Sequence, residues 1–76
     1  MVYRDRIEID PSVCSGKPVI RGTRILVNSI LSQLSAGESY QAIRQGYPEL
    51  TDQDIRAALE FAKESVEATE IAALRD

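Results

Sequence analysis

The side chains through which this chain could do chemistry are cations. Arg6, Lys17, Arg21 and Arg24 crowd the first third of the sequence, and Arg56 lies near the start of a later amphipathic run. Guanidinium and ammonium groups in such numbers suit phosphate, where they give salt-dependent binding of nucleic acid. The competing use is internal, bracing the neighbouring Asp and Glu residues. Arg21 and Arg24 flank Gly22-Thr23, a pair that suits a tight turn with glycine at its first central position. From such a turn both arginines would project at the tip.

Other chemistries lack their residues. The chain has no histidine and one cysteine, so the commonest general base, the Ser/His and Cys/His nucleophile pairs and a Cys/His zinc site are all missing. A disulfide within the chain is impossible, and Cys14 between two serines reads as a small hydrophobe. The string SGKPVIRGT invites comparison with a phosphate-binding loop. That motif needs glycine where Pro11 stands and Ser or Thr where Pro18 follows Lys17. No catalytic residue, metal or cofactor is expected.

The elements that must position these cations follow from periodicity. In RIEID, Ile7 and Ile9 fall on one side of an extended chain and Arg6, Glu8 and Asp10 on the other, the pattern of a half-buried strand. PSVCSGKP is a loop, and VIRGTRI is a second extended piece. From Val27 the spacing of Val27, Ile30, Leu31 and Leu34 becomes helical, with Gly37 as a stop. Ser39 can cap a short second helix carrying Tyr40 and Ile43, ended by Gly46-Tyr47-Pro48. Thr51-Asp52-Gln53-Asp54 is an acidic variant of a capping box. It opens a third helix whose apolar face reads Ile55, Ala58, Leu59, Ala62 and Val66.

The expected fold is mainly α: a short N-terminal β arm or hairpin in 1–26, a three-helix body in 27–64, and 65–76 as either a continuation of the third helix or a mobile tail. A short second helix and a turn before a longer third is the layout of a helix-turn-helix. Asp52 and Asp54 in the first turn of that third helix, near Glu49, would repel phosphate, which makes the arm the better nucleic-acid surface.

With 76 residues the chain makes a single thin-cored domain, and without disulfide or metal the remaining staple is oligomerisation. Pairing the arms of two subunits would supply it. The charge is split. Residues 1–26 carry five cations against three anions, a net +2, and residues 27–76 carry four cations against nine anions, a net −5. A basic arm and an acidic helical body prefer different partners. No run approaches a signal peptide or the roughly 20 residues of a membrane span, so a cytoplasmic protein with no membrane partner is expected.

The strings IDPSVCSGKPVIRGTRI and YPELTDQDIRAALEFA resemble the family called domain of unknown function 433. Gly16, Lys17, Pro18, Val19, Ile20, Arg21, Gly22, Thr23, Arg24 and Ile25 carry its signature, and Tyr47, Pro48, Leu50, Thr51 and Ile55 a second block. Leu26 stands where the family favours proline, and Ser39-Tyr40-Gln41-Ala42 replaces its usual helix start. The resemblance implies a homeodomain-like helix-turn-helix, a homodimer, and the antitoxin half of a toxin–antitoxin pair whose toxin is a PIN-like ribonuclease.

The combined expectation is therefore an antitoxin. It would neutralise the toxin by direct binding through Val66, Ile71 and Leu74, and its dimer would bind operator DNA through Arg6, Lys17, Arg21, Arg24 and Arg56. The alternatives are a stand-alone DNA-binding regulator and a dimeric interaction module that binds no DNA.

Overall fold

The alternation in RIEID is the middle of a three-stranded antiparallel sheet. The computed structural model describes the backbone of residues 1–74 and the side chains of residues 1–69. Strands β1 (Val2–Tyr3), β2 (Ile7–Glu8) and β3 (Val19–Ile20) lie in that order, with Ile7 opposite Tyr3 on one side and Ile20 on the other. The arm is thus closed within one chain and needs no second arm to pair with. β1, two residues long, is too short to show a period in the sequence.

The turn joining β1 to β2 has two left-handed residues in succession, Arg4 (φ 50°) and Asp5 (φ 61°), and the Arg6 N–H donates to the Tyr3 carbonyl at 3.0 Å. Asn and Gly are the usual occupants of such a turn, and a side chain in this region costs on the order of 1 kcal/mol. Contacts to the last helix, described below, hold Arg4 there. Arg6 is left over in the β1–β2 pairing, and its carbonyl accepts the Arg21 N–H at 2.8 Å instead.

The second extended piece is a tight hairpin, but its turn is not the one expected. The Thr23 N–H donates to the Ile20 carbonyl at 3.0 Å, which makes Gly22, at φ +80°, the second central residue rather than the first. That is the position at which a type II turn needs a left-handed residue. The Thr23 hydroxyl fixes the choice by donating to the Ile20 carbonyl at 2.7 Å while accepting the Ile25 N–H at 3.0 Å. The Val27 N–H then donates to the Pro18 carbonyl at 3.0 Å, tying the first helix to the strand before it.

The helices α1 (Val27–Ser35), α2 (Tyr40–Gly46) and α3 (Asp52–Leu74) follow the predicted punctuation. The Ser39 hydroxyl accepts the Ala42 N–H at 3.0 Å, so α2 is capped despite its unusual start. The capping box of α3 is complete: Thr51 Oγ1 accepts the Asp54 N–H at 3.2 Å, and Asp54 Oδ2 accepts the Thr51 N–H at 3.0 Å. The core gathers Ile7 and Ile20 from the sheet, Val27, Ile30 and Ile43 from the first two helices, and Leu50, Ile55, Ala57 and Ala58 from the last turn and α3. At about 1.5–3 kcal/mol for each large aliphatic side chain removed from water, this cluster is the main stabilising term.

The buried stripe of α3 keeps Ile55 and Ala58 of the predicted face, with Ala62 half-buried, and departs from it at Leu59 and Val66. Leu59 is 38% exposed and Val66 61% exposed, whereas Asp54 is only 8% exposed. The helix packs along Asp54, Ala58 and Phe61, and Leu59 falls off that line. A carboxylate occupies an inward position on it, Asp54 beside Ile55 and Ala58. It is tolerated there because Arg6 Nη1 donates to its Oδ1 at 2.9 Å while the capping box takes its other oxygen.

The arm is latched to α3 a second time. Tyr3 packs edge-on to Phe61, with centroids 5.5 Å apart, and its hydroxyl donates to Glu64 at 2.6 Å. Arg4 donates from Nε to the Tyr3 hydroxyl at 2.9 Å and from Nη2 to Glu64 at 2.9 Å, and lies 3.3 Å from Glu60. The hydrogen bond from Tyr3, and then that from Arg4, hold the Glu64 carboxyl below its ordinary range.

Two outcomes follow. Asp54→Ala removes the Asp54 half of the capping box and the Arg6 pair, leaving the Thr51 hydroxyl on the residue-54 N–H, and should cost about 2–3 kcal/mol, lowering the thermal midpoint by roughly 10–20 °C for a domain of this size. A midpoint unchanged in circular-dichroism melts would show that Asp54 does not couple sheet and helix. Because the folded pKa of Glu64 is depressed, its contribution is present above the unfolded value of about 4.3 and is lost as pH falls through the carboxylate range. Glu64→Gln should therefore flatten the fall of melting temperature below about pH 5, and a slope identical to that of the parent would remove the latch.

Candidate functional site

The five predicted cations do not form one patch. Arg6 and Arg56 line a shallow cleft of about 200 Å³ beside the start of α3, together with Arg4, Gln53, Ala57 and Glu60. Arg21 and Arg24 sit at the hairpin tip, where Arg21 lies 3.3 Å from an almost fully exposed Asp5. Arg24 lines a separate open concavity with Glu8, Val13 and Thr23. Lys17 is elsewhere again, at the edge of an apolar groove. The physical cause is the closed hairpin: once Pro18–Ile20 folds back against Ile25–Val27, Arg21 and Arg24 are left at its tip while Lys17 lies at its base beside the groove.

Arg6 is largely committed to Asp54, with 42% of its side chain still exposed. Arg56 is exposed and makes no ion pair among the described residues. Arg4 was absent from the sequence expectation and joins them only because β1 folds back on β2. It is held firmly protonated, chiefly by its hydrogen bonds to Tyr3 and Glu64.

The acidic start of α3 is less hostile to phosphate than its sequence suggests. Asp54 is paired with Arg6, and Asp52 lies 2.8 Å from Arg44 Nε. The Arg44 contact is electrostatic, since its N–H is not aligned as a hydrogen bond. With both carboxylates matched by arginines, Gln53 and Arg56 are the exposed side chains of that turn free to meet a ligand.

The apolar groove is the feature that sequence reasoning missed. It has a volume of about 420 Å³ and runs between the start of α1 and the middle of α3, walled by Pro18, Leu26, Leu31, Phe61, Ala62 and Val66. The available signal was Leu26 and Phe61, two large apolar residues that no predicted face used. Val66, expected to bind a partner, is one wall of it. The side chains of Ile71 and Leu74, assigned with it, lie outside the described residues, although the backbone of both belongs to α3.

Beyond Ala62 every residue from Lys63 to Thr69 is exposed, although Glu64 still meets Tyr3 and Arg4 and Val66 still lines the groove. Glu64 and Glu67 are on this exposed part, with Lys63 held 3.0 Å from Glu67. No helix among the described residues is long and apolar enough to cross a membrane.

The family described as "Protein of unknown function (DUF433)" matches residues 7–62. The chain is 32% identical over 60 residues to the uncharacterized protein y4eO of Sinorhizobium fredii. That match spans 79% of this chain and 27% of the relative, so the chain accounts for about a quarter of the relative's length. Its fold is similar to that in the crystal structure of a DUF433 member protein from Anabaena variabilis, with a TM-score of 0.77 at 30% identity, covering 91% of this chain and 68% of the other. Both the residue blocks around Gly22 and Thr51 and the architecture they build lead to one assignment: the chain belongs to the DUF433 family.

Proposed function

We propose that this protein is an antitoxin-type, cytoplasmic, non-catalytic protein that neutralises a PIN-like ribonuclease by direct binding. The observation that carries the reading is the exposed second half of α3. Seven consecutive exposed residues, 63–69, present Val66 and Glu67, the latter beside Lys63, on a helix whose Glu64 is held to the arm by Tyr3 and Arg4. A ribonuclease must offer a basic surface to a polyanionic substrate. An acidic amphipathic helix competes for such a surface by charge and anchors by its apolar residues.

DNA binding is the second activity of this reading, and the pairing of Asp52 and Asp54 with arginines favours it. The reading places Gln53 and Arg56 of the α2–α3 helix-turn-helix, with Arg4 and Arg6 beside them, against the DNA backbone. Operon autoregulation would follow from binding its own promoter.

The full chain, immobilised and exposed to lysate of its native host, should recover a small nuclease in stoichiometric amount, and adding the chain to that purified nuclease should stop its cleavage of RNA. Recovery without a nuclease, or a nuclease that cuts undiminished in the presence of excess chain, overturns the antitoxin reading. In fluorescence anisotropy with promoter duplex, Arg56→Ala should weaken binding several-fold and lower the salt slope by about one. Equal affinity of the parent chain for promoter and random duplex at moderate salt would dispose of specific DNA recognition.

A further inference from the structure

We propose that the apolar groove between α1 and α3 is a binding site for a medium-chain fatty acid, with the carboxylate at Lys17 and the alkyl chain along Leu31 and Phe61. The proposal stands apart from the antitoxin reading, because such a ligand needs neither nuclease nor DNA.

The groove has the size and lining of a small-molecule site. Its volume of about 420 Å³ falls in the roughly 300–1,000 Å³ range of ligand pockets, which are apolar with a few placed polar groups. Leu31 and Phe61 already pack against the core, and the Pro18 carbonyl is tied to the Val27 N–H. The walls are thus set before a ligand arrives, and little ordering is left for binding to offset. On the α3 side the lining runs from Phe61 to Val66, about 7.5 Å of helix rise. An elongated apolar strip of this kind suits an alkyl chain.

Charge selects an acid. Among the described residues that line the groove, Lys17 is the charged one; it is exposed and makes no ion pair. Between Asp10 and Glu38 the sequence has no acidic residue, so neither the neighbours of Lys17 in the chain nor α1 supplies a carboxylate. The acids of α3 closest in sequence to the lining are engaged elsewhere, Glu64 by Tyr3 and Arg4 and Glu67 by Lys63. The start of α1 adds to the same polarity. Leu26 and Asn28 line the groove there, and the first turn has neither a side-chain cap nor an acidic residue, which leaves the positive end of the helix without a counter-charge. The Ser65 hydroxyl is used internally, donating to the Phe61 carbonyl at 2.8 Å. Lys17 and Asn28 are therefore the side-chain donors of the lining that a ligand can meet.

Titration of the isotope-labelled full chain with decanoate, below its micelle-forming concentration and followed by amide NMR shifts, tests this. Saturable shifts should appear at Asn28, Leu31, Phe61 and Val66, with a dissociation constant between about 10 µM and 1 mM. Decyltrimethylammonium, with the same alkyl chain and the opposite charge, should bind more weakly by about fivefold or more, although the net charge of −3 would favour it in any non-specific association. Lys17→Gln should weaken decanoate binding about two- to fivefold, the range of an exposed ion pair. Arg24→Gln, the same change of charge at the hairpin tip, should leave it unchanged. Val66→Asp, at a site 61% exposed and so safe for folding, should weaken it about tenfold by placing a like charge on the wall. Equal or tighter binding of the cation, an affinity untouched by Lys17→Gln, or an equal loss on Arg24→Gln would overturn the proposal. Absence of any saturable shift with decanoate would overturn it too and leave the groove to a protein segment. None of these results bears on the nuclease experiment, whose readout is inhibition by the parent chain.

Discussion

Asp54 is the one charged side chain among the described residues that the fold buries, and both of its oxygens are in use. One accepts the Thr51 N–H and starts α3, and the other accepts Arg6 and draws the sheet onto that helix. Burying a carboxylate is costly unless it is paired and hydrogen-bonded. The cost is met here by groups from two different elements, so neither can shift without exposing the other's unsatisfied partner. Sheet, turn and helix therefore behave as one unit around a small core.

The Tyr3–Arg4–Glu64 cluster repeats the arrangement at the surface, where each contact is weaker because water screens it. Its role is visible in the backbone. Arg4 occupies a left-handed conformation that its side chain does not favour, and such a conformation persists where the surroundings over-determine it. The family signature works in the same structural register: Gly22 allows the turn, Thr23 closes it, and Pro18 lends its carbonyl to α1. The conspicuous string GKPVIRGTRI thus secures the hairpin and the start of α1, while its two hairpin-tip arginines remain outside.

This division separates positioning from recognition. Cations that hold the fold, Arg4, Arg6 and Arg44, are those matched with carboxylates of α3. The surfaces left for partners are the cleft beside Arg56, the groove of α1 and α3, and the exposed second half of α3. A net charge of −3 conceals this layout because it averages over surfaces that face different ways. The proposed nuclease and DNA use different surfaces of this set, as the split charge between arm and body suggested.

The sequence by itself determined the elements and their ends. Helical spacing from Val27, the Ser39 cap and the Thr51–Asp54 box are local signals, and local hydrogen bonds at 3.0–3.2 Å realise the two caps. The resemblance carried by the Gly22 and Thr51 blocks likewise led to the right family. What it could not determine was which side chains would meet. Asp54 looked like a solvated helix-start residue and became a buried hub, while Leu59 looked like core and became surface. Lys17 ended at the groove edge, apart from Arg21 and Arg24 at the hairpin tip, and the groove arose from Pro18, Leu31 and Phe61, which share no local pattern. The reason is common to all four: a one-dimensional pattern records which residues prefer to be buried, whereas the partner that permits the burial of a charge, or the gap between two helices, exists only once distant segments are packed together, as Arg6 and Asp54 are across 48 positions.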